Sequence, residues 1–265
     1  MPKARSVSYA GSTLQRHRKH SQLRQNVVII GGGVGGCCTA LELAQTRQFN
    51  IYLLEKNQEL MRESSDATPG RLGLGFHYSD KTTALHFLHV TVDFTKRYGR
   101  NQSHPLRRGR YFIVKNSLVL IKDILEVFQA IKEEYTKMVR EDPSCEVFGP
   151  PEDIYRILQP QKFETDVEME KIEMGIETAE ELLEWPRLRE FLIAELEKEE
   201  NSIKVLRNTK AVVIRARDHG GGYVIDGINI FHGGAVKISA DFVVNASWYN
   251  ISKFNNMLGI SSACR

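Results

Sequence analysis

Three glycines near the start of the chain have the spacing of a backbone that binds a diphosphate. Gly31, Gly33 and Gly36 fit the pattern G-x-G-x-x-G, and they follow an apolar run at 27–30 that is typical of a buried strand. The first glycine permits a tight turn, the second lets a pyrophosphate approach the backbone, and the third lets a helix pack closely against the strand. The N–H groups that open this helix lack internal partners, so with the helix dipole they favour an anion. The pattern predicts a dinucleotide site.

A carboxylate at the end of the next predicted strand, 50–55, supports this interpretation. Glu55 lies 24 residues after Gly31, close to the spacing of about 20 residues at which an acid meets the ribose hydroxyls of a dinucleotide. Because it would repel a 2′-phosphate, Glu55 disfavours NADP. A glycine turn without any ligand is the alternative.

The formal net charge of +3 is unevenly distributed over the 265 residues. Residues 1–25 hold six Lys and Arg and no acid, so the remainder carries a net charge of −3 and gives no reason to expect nucleic-acid binding. The tail lacks the apolar core of a secretory signal. We expect it to be disordered, with an organelle transit peptide or a contact with an anionic surface as alternatives. No apolar run approaches 18 residues, so no membrane span is predicted.

The four cysteines, Cys37, Cys38, Cys145 and Cys264, show no CxxC spacing. This pattern predicts neither a zinc site nor a disulfide framework, and the chain is interpreted as a cytoplasmic protein with no metal. Cys37 and Cys38 open the first predicted helix, where a lowered thiol pKa is one interpretation and simple packing is the other.

Hydrophobic periodicity predicts an α/β fold, in which strands at 26–31 and 50–55 form a parallel sheet with a crossover helix. Farther along, it predicts helices from 79 or 80 to about 98, at 119–139, around 154–158 and from 185 or 186 to 200, and strands at 111–114, within 162–178, and at 203–206, 211–216, 223–225 and 236–246. Glycines at 220–222 and 233–234 indicate hairpin turns. Both ends of the chain are therefore expected to build one nucleotide domain, with a second domain inserted between them.

Three segments in this order resemble the D-amino-acid-oxidase-like superfamily of FAD-dependent oxidoreductases. They are VVIIGGGVGGCCTALELA with IYLLEK within 27–56, SSDATPGRLGLGFHYSD at 64–80, and ISADFVVNASWYN at 238–250. The resemblance implies FAD as the cofactor. It also implies a Rossmann-like FAD-binding domain at 26–100 and 200–265, and an inserted α+β substrate domain at 101–199, after the tail of residues 1–25.

The resemblance assigns further roles by position. The residues that it places against FAD are Gly31, Gly33, Val34, Gly35 and Gly36 around the pyrophosphate, Glu55 and Lys56 at the adenosine ribose, Ser64, Ser65, Arg71 and Leu72 along the pyrophosphate and ribityl region, Val212 near adenine, and Ala246 and Ser247 at a small-residue turn. His77 and Tyr78 are implied to lie near the flavin and are the candidate catalytic residues. Ordinary structural roles are the alternatives: a turn cap for Ser64 and Ser65, a surface ion pair for Arg71, and core packing for Val212.

The implied activity is the transfer of a hydride to flavin from a small amine, amino acid or hydroxy compound, in an oxidase or a dehydrogenase. Two alternatives stay open. One is a non-catalytic or truncated dinucleotide-binding fragment, and the other, which rests on the glycine motif alone, is an NAD-dependent dehydrogenase. Because such proteins usually continue past this small-residue turn into a loop that closes over the flavin, we expect the chain to be C-terminally truncated. The expected partners are a small-molecule substrate and either a complementing C-terminal segment or a second copy of the chain.

Overall fold

The computed structural model describes residues 24–67, 70–99, 103–104, 109–158 and 168–261. The helices are α1 (Val34–Gln45), α2 (Lys81–Phe94), α3 (Ile121–Glu141), α4 (Trp185–Leu196) and α5 (Ile251–Met257). The strands are β1 (Gln25–Ile30), β2 (Phe49–Leu54), β3 (Arg71–Leu72), β4 (Ser103–His104), β5 (Gly109–Val114), β6 (Tyr155–Leu158), β7 (Ile172–Thr178), β8 (Glu181–Leu183), β9 (Ile203–Leu206), β10 (Thr209–Ala216), β11 (Tyr223–Asn229), β12 (Ala235–Ala240) and β13 (Phe242–Asn245). The basic tail of residues 1–25, predicted to be disordered, lies outside the described residues except for 24 and 25. Cys264 also lies outside them.

A parallel sheet with the strand order β13-β1-β2-β9 forms the first layer. Ile29 of β1 is in register with Leu53 of β2 and with Val244 of β13. The two inner strands are apolar on both faces, as is typical of a parallel sheet covered on both sides. Helix α1 connects β1 to β2, so the predicted parallel sheet with a crossover helix is confirmed.

Different elements cover the two faces of this sheet. On one face, α1 packs together with Leu188, Leu192 and Leu196 of α4. On the other face, Val28 and Leu54 share a core with the antiparallel sheet β10-β11-β12 and with α5. The carboxyl ends of β1, β2 and β13 are thus held side by side, which is the edge where ligands bind in sheets of this type.

A second core lies between α2, α3 and the antiparallel sheet β5-β7-β6. Phe128 and Ile131 of α3 and Leu88 of α2 are fully buried in it. A small sheet, β3-β8-β4, completes this part of the chain. Residues 72–92 contribute to this second core, whereas α4 packs on the first. The division into an FAD-binding and an inserted domain at residues 100 and 200 stays a prediction.

Several predicted elements differ in the structure. The segment around 154–158, predicted as helical, is strand β6, because it pairs with β7. The predicted strand 236–246 is two strands in different sheets, broken at Asp241, whose carboxylate accepts a hydrogen bond from the backbone nitrogen of Asn26 at 2.8 Å. The helix predicted to end near 98 changes to a π-helical turn at Thr95–Gly99. The hairpin turns at 220–222 and 233–234 join β10 to β11 and β11 to β12, as predicted.

The cysteines of α1 are packing residues. Burial raises the pKa of the Cys37 thiol well above its ordinary value, and it raises that of Cys38 to about 12. Both groups therefore stay protonated at neutral pH, which is the opposite of an activated thiol. No helix in the described ranges is both long enough and apolar enough to cross a bilayer.

Candidate cofactor site

The turn after β1 requires glycine at two positions. Gly31 has a φ of +110°, and a Cβ there would lie 2.5 Å from the carbonyl oxygen of Ala246. A Cβ at Gly36 would overlap the carbonyl oxygen of Gly31. Gly36 therefore lets α1 start close against β1, as the motif predicts, and Gly31 lets β13 approach the turn.

The N-terminus of α1 faces outward from this turn. Gly33 is its N-cap residue and has no side chain with which to cap the helix. The backbone N–H of Val34 donates instead to the hydroxyl of Ser65 at 3.0 Å. Apart from its chain neighbours and the backbone of its own helix, no described atom lies within 4 Å of a Cβ built at Gly35. The first turn of the helix thus leaves room for an anion, with Ser65 beside it.

The carboxylate of Glu55 is fixed at the end of β2. Its two oxygens accept hydrogen bonds from the backbone nitrogens of Gly32 and Asn57, each at 2.8 Å. The residue is 7% exposed. A carboxylate oxygen has two acceptor positions, so each oxygen that binds one N–H can still accept a hydrogen bond from a ribose hydroxyl. Glu55 lines the cavity described below, and its contact with a ribose stays a prediction.

The turn after β13 closes the site from the other side. The backbone nitrogen of Ala246 donates to the carbonyl oxygen of Ile30 at 2.9 Å. The amide of Asn245 donates to the carbonyl oxygen of Ile251 at 3.0 Å, and its own oxygen accepts a hydrogen bond from the hydroxyl of Ser247. Asn245 therefore ties β13, the turn and the start of α5 together.

These segments enclose a cavity of about 720 Å³, within the usual range for small-molecule sites. Of the predicted cofactor residues, it is lined by Gly31, Gly33, Val34, Gly35, Glu55, Lys56, Ser64, Ser65, Ala246 and Ser247. Sequence reasoning missed other lining residues, among them Met61, Glu63, Lys210, Ala211, Trp248, Tyr249 and Lys253. The one signal that pointed toward Trp248 and Tyr249 was their position directly after the small-residue turn.

Four predicted cofactor residues are not among those that line the cavity. Gly36 lies behind the turn, where it packs α1 on β1. Leu72 is buried in the second core. Val212 lies at an irregularity of the β10–β11 pairing, next to the lining residue Ala211. Arg71 belongs to a separate cluster. A direct contact of these residues with FAD stays a prediction.

Arg71 is held by a buried carboxylate. Glu180 is 1% exposed, and Oε1 of its carboxylate accepts a hydrogen bond from the backbone nitrogen of Leu74 at 2.7 Å. The other oxygen, Oε2, accepts a hydrogen bond from the hydroxyl of Tyr111 and lies 3.9 Å from Nε of Arg71. The guanidinium also lies over the Tyr111 ring, 5.4 Å from its centroid. Burial raises the pKa of Glu180, although the hydrogen bonds from Tyr111 and Leu74 oppose that shift.

His77 and Tyr78 form an aromatic group next to Arg71. Their ring centroids are 4.0 Å apart, and the Tyr78 ring lies 4.5 Å from that of Phe87 on α2. Burial and the positive charge of Arg71 lower the pKa of His77, so its imidazole is neutral at pH 7. A cation, a neutral imidazole and two aromatic rings are thus brought together, and they are not among the residues that line the cavity.

The model of the family DAO, FAD dependent oxidoreductase, matches residues 26–260. The chain belongs to this family. The match includes all three segments that carry the predicted resemblance, within 27–56, at 64–80 and at 238–250. FAD is the family's cofactor, and the open helix terminus with Glu55 beside it fits the diphosphate and ribose of such a dinucleotide.

Individual relatives match over part of their length. Over 91 residues, the chain is 33% identical to glycerol 3-phosphate oxidase of Mycoplasma pneumoniae, an alignment that covers 34% of this chain and 23% of that protein. Glycine oxidase from Bacillus cereus has a TM-score of 0.51 and 15% identity, over 88% of this chain and 59% of its own. L-amino acid deaminase from Proteus myxofaciens has a TM-score of 0.50 and 17% identity, over 84% of this chain and 45% of its own. The chain thus spans about half the length of these solved relatives, which show its fold.

Proposed function

We propose that this chain is an FAD-dependent oxidoreductase that takes a hydride from a small amine, amino acid or hydroxy compound. The observation that supports it most is the open N-terminus of α1 facing one cavity with Glu55, in a chain matched by the family over 26–260. When bound, FAD supplies the electron-accepting ring, and the protein supplies binding and orientation.

The chain's own residues have distinct roles in this proposal. The backbone of Gly33 and Val34 receives the diphosphate, where the helix dipole favours a negative charge. The hydroxyl oxygen of Ser65 accepts a hydrogen bond from the backbone N–H of Val34. The hydroxyl hydrogen can therefore donate to a phosphate oxygen. Glu55 accepts the ribose hydroxyls. These groups are fixed by backbone hydrogen bonds, so little ordering is needed when the cofactor binds.

We assign the cluster of Arg71, His77 and Tyr78 to the substrate side. The side chain of Arg71 is 39% exposed, and its contacts with Glu180 and with the Tyr111 ring orient the guanidinium. The neutral imidazole of His77 can accept a proton from a substrate amine or hydroxyl. The oxidase or deaminase names of the relatives agree with such a substrate class.

A non-catalytic dinucleotide-binding protein is the second candidate. It is favoured by the observation that His77 and Tyr78, the candidate catalytic residues, are not among the residues that line the cavity. We propose that a complementing segment or a second copy of the chain pairs with β13, which lies at the edge of the first sheet among the described strands. An NAD-dependent dehydrogenase ranks last, because it does not explain why an FAD-dependent family matches residues 26–260.

Anaerobic reduction separates these candidates. The purified chain is incubated with FAD, freed of excess cofactor, and mixed without oxygen with small amines, amino acids and hydroxy acids. The proposed oxidoreductase retains a yellow cofactor that one of these classes bleaches. A chain that retains FAD but is bleached by none is the non-catalytic candidate. A chain that binds NAD in preference to FAD supports the third candidate.

A further inference from the structure

A cysteine outside the cofactor cavity lies beside both a cation and a carboxylate. The ammonium of Lys96 donates a hydrogen bond to the sulfur of Cys145 at 3.5 Å and another to a carboxylate oxygen of Asp142 at 2.7 Å. The same carboxylate oxygen lies 3.8 Å from the sulfur. We call Lys96, Asp142 and Cys145 the thiol cluster. None of its three residues lines the cavity, so the cluster is separate from the candidate cofactor site.

Two turns from different parts of the chain hold the thiol cluster together. Lys96 lies in the π-helical turn Thr95–Gly99 that follows α2. The other two residues lie in the turn after α3, where the backbone nitrogen of Cys145 donates to the carbonyl oxygen of Asp142 at 2.9 Å. The second carboxylate oxygen of Asp142 accepts a hydrogen bond from the backbone nitrogen of Ser144, also at 2.9 Å. The carboxylate and the sulfur are thus fixed relative to each other, and Lys96 reaches them because α2 packs against α3.

The charges of the thiol cluster favour reaction at the sulfur. The hydrogen bond to Asp142 raises the pKa of Lys96, and the hydrogen bond from Lys96 lowers the pKa of Asp142, so both groups are charged at neutral pH. A cation in contact with a sulfur favours the thiolate, which is the form that peroxides oxidise. The carboxylate of Asp142 is half-exposed, so a small oxidant can reach the sulfur past it. Cys37 and Cys38 differ, because burial raises the pKa of their thiols and keeps them protonated.

We propose that Cys145 is a site of oxidative modification, at which hydrogen peroxide oxidises the sulfur and the nitrogen of Lys96 then bonds to it. In the first step, the thiolate attacks one oxygen of the peroxide and the O–O bond breaks. The sulfur loses two electrons, the peroxide gains them, and the products are a sulfenic acid and a hydroxide ion.

The second step needs no further oxidant. The sulfenic acid carries no charge, so the Lys96 ammonium loses its anionic partner at the sulfur and releases one proton to water. Its nitrogen then attacks the sulfur, and the hydroxyl group leaves as water with a second hydrogen of the amine. The S–N bond that forms joins the ends of α2 and α3 across 49 positions of the chain. It also keeps the sulfur from irreversible oxidation to a sulfinic acid, and a thiol reductant reverses it.

The test uses the full chain with the substitution Cys264→Ser, so that Cys37, Cys38 and Cys145 are the only thiols. This parent chain is treated with hydrogen peroxide, with and without dimedone, a reagent that traps sulfenic acids. Peptide mass spectrometry after digestion at acidic residues then identifies the state of each cysteine.

Two variants of this parent separate the roles of the lysine. Lys96→Arg keeps a cation beside the sulfur, but a guanidinium stays protonated and does not attack it. Lys132→Arg is the matched control, because the ammonium of Lys132 donates to the carbonyl oxygen of Glu152 and not to a sulfur.

We expect Cys145 to be oxidised about tenfold faster than Cys37 or Cys38. In the parent chain, the peptide of Lys96 should become joined to that of Cys145, with a mass two hydrogens below the sum of the reduced peptides. A thiol reductant should separate them again. Lys96→Arg should lose the joined peptide and give dimedone-labelled Cys145 instead, whereas Lys132→Arg should keep it.

Three results would overturn the proposal. They are oxidation of Cys145 no faster than that of Cys37 and Cys38, a parent chain in which oxidised Cys145 stays unlinked, and a joined peptide that carries an additional oxygen atom. Each of them leaves the proposed function standing, since the cavity is separate from the thiol cluster.

Discussion

The hydroxyl of Ser65 lies 3.0 Å from the backbone nitrogen of Val34, so a side chain from a distant loop caps the helix at which a diphosphate is expected. We predict that Ser65→Ala weakens FAD binding about fivefold to tenfold, because a hydrogen bond to a charged group is worth about 1.5–3 kcal/mol and water recovers part of it. Fluorescence titration with FAD measures the effect.

The control for Ser65→Ala is Ser117→Ala. The hydroxyl of Ser117 also accepts a backbone N–H, that of Val119, but Ser117 does not line the cavity. Equal FAD affinities in the two variants would show that Ser65 is only a helix cap.

Neighbouring glycines of α1 should respond in opposite ways to alanine. Gly36→Ala places a Cβ against the carbonyl oxygen of Gly31, and we expect a loss of about 1–3 kcal/mol or more in the free energy of unfolding. Outside its chain neighbours and its own helix backbone, a Cβ at Gly35 meets no described atom within 4 Å, so Gly35→Ala should leave the free energy of unfolding unchanged or raise it by up to about 1 kcal/mol. Urea denaturation of both variants measures the difference. Similar losses in the two would contradict the packing described for α1 on β1.

Glu180 should make stability depend on pH in a defined direction. Because burial raises its pKa in the folded state, its contribution to stability is fully present below the unfolded value of 4.5 and is lost as pH rises through the higher folded pKa. Glu180→Gln removes this component. The free energy of unfolding of the wild type relative to the variant should therefore fall from pH 4 toward pH 7.

Urea denaturation at a series of pH values measures this trend. The same series with Glu181→Gln, at the less buried neighbour, controls for a general effect of losing one carboxylate. A wild type that gains stability relative to Glu180→Gln as the pH rises would mean that the ionised Glu180 is favoured by Arg71 and Tyr111 more than burial disfavours it.

Only one of the two tryptophans should report on the ligand. Trp248 is 72% exposed and lines the cavity, whereas Trp185 begins α4 and donates to Asp66. ADP does not absorb at the wavelengths at which tryptophan emits, so a change in this emission on its addition reflects a change around the ring. We expect this change to persist in Trp185→Phe and to disappear in Trp248→Phe. The reverse result would place the ligand away from the turn after β13.

The sequence was sufficient for features that depend on neighbouring residues. The glycine turn, the crossover helix and Glu55 follow from local spacing, and the structure places them together as expected. The same holds for the glycine hairpins, because each glycine run separates two strands that pair with each other.

Features set by distant partners could not be predicted in this way. The break at Asp241 depends on Asn26, which is 215 positions away, and β6 is a strand because β7 pairs with it. The ion pair of Arg71 with Glu180, 109 positions later in the chain, is another contact that local spacing does not indicate. Tertiary burial and strand pairing determine the structure at such residues, and neither can be inferred from one sequence alone.

An equilibrium titration of the purified chain with FAD, in the absence and presence of ADP, tests whether the cavity at the start of α1 holds FAD. We expect saturable binding of one FAD per chain and its displacement by ADP, since both ligands are expected to place a diphosphate at Gly33 and a ribose at Glu55. Absence of saturable FAD binding, or FAD binding that excess ADP leaves unchanged, would contradict it.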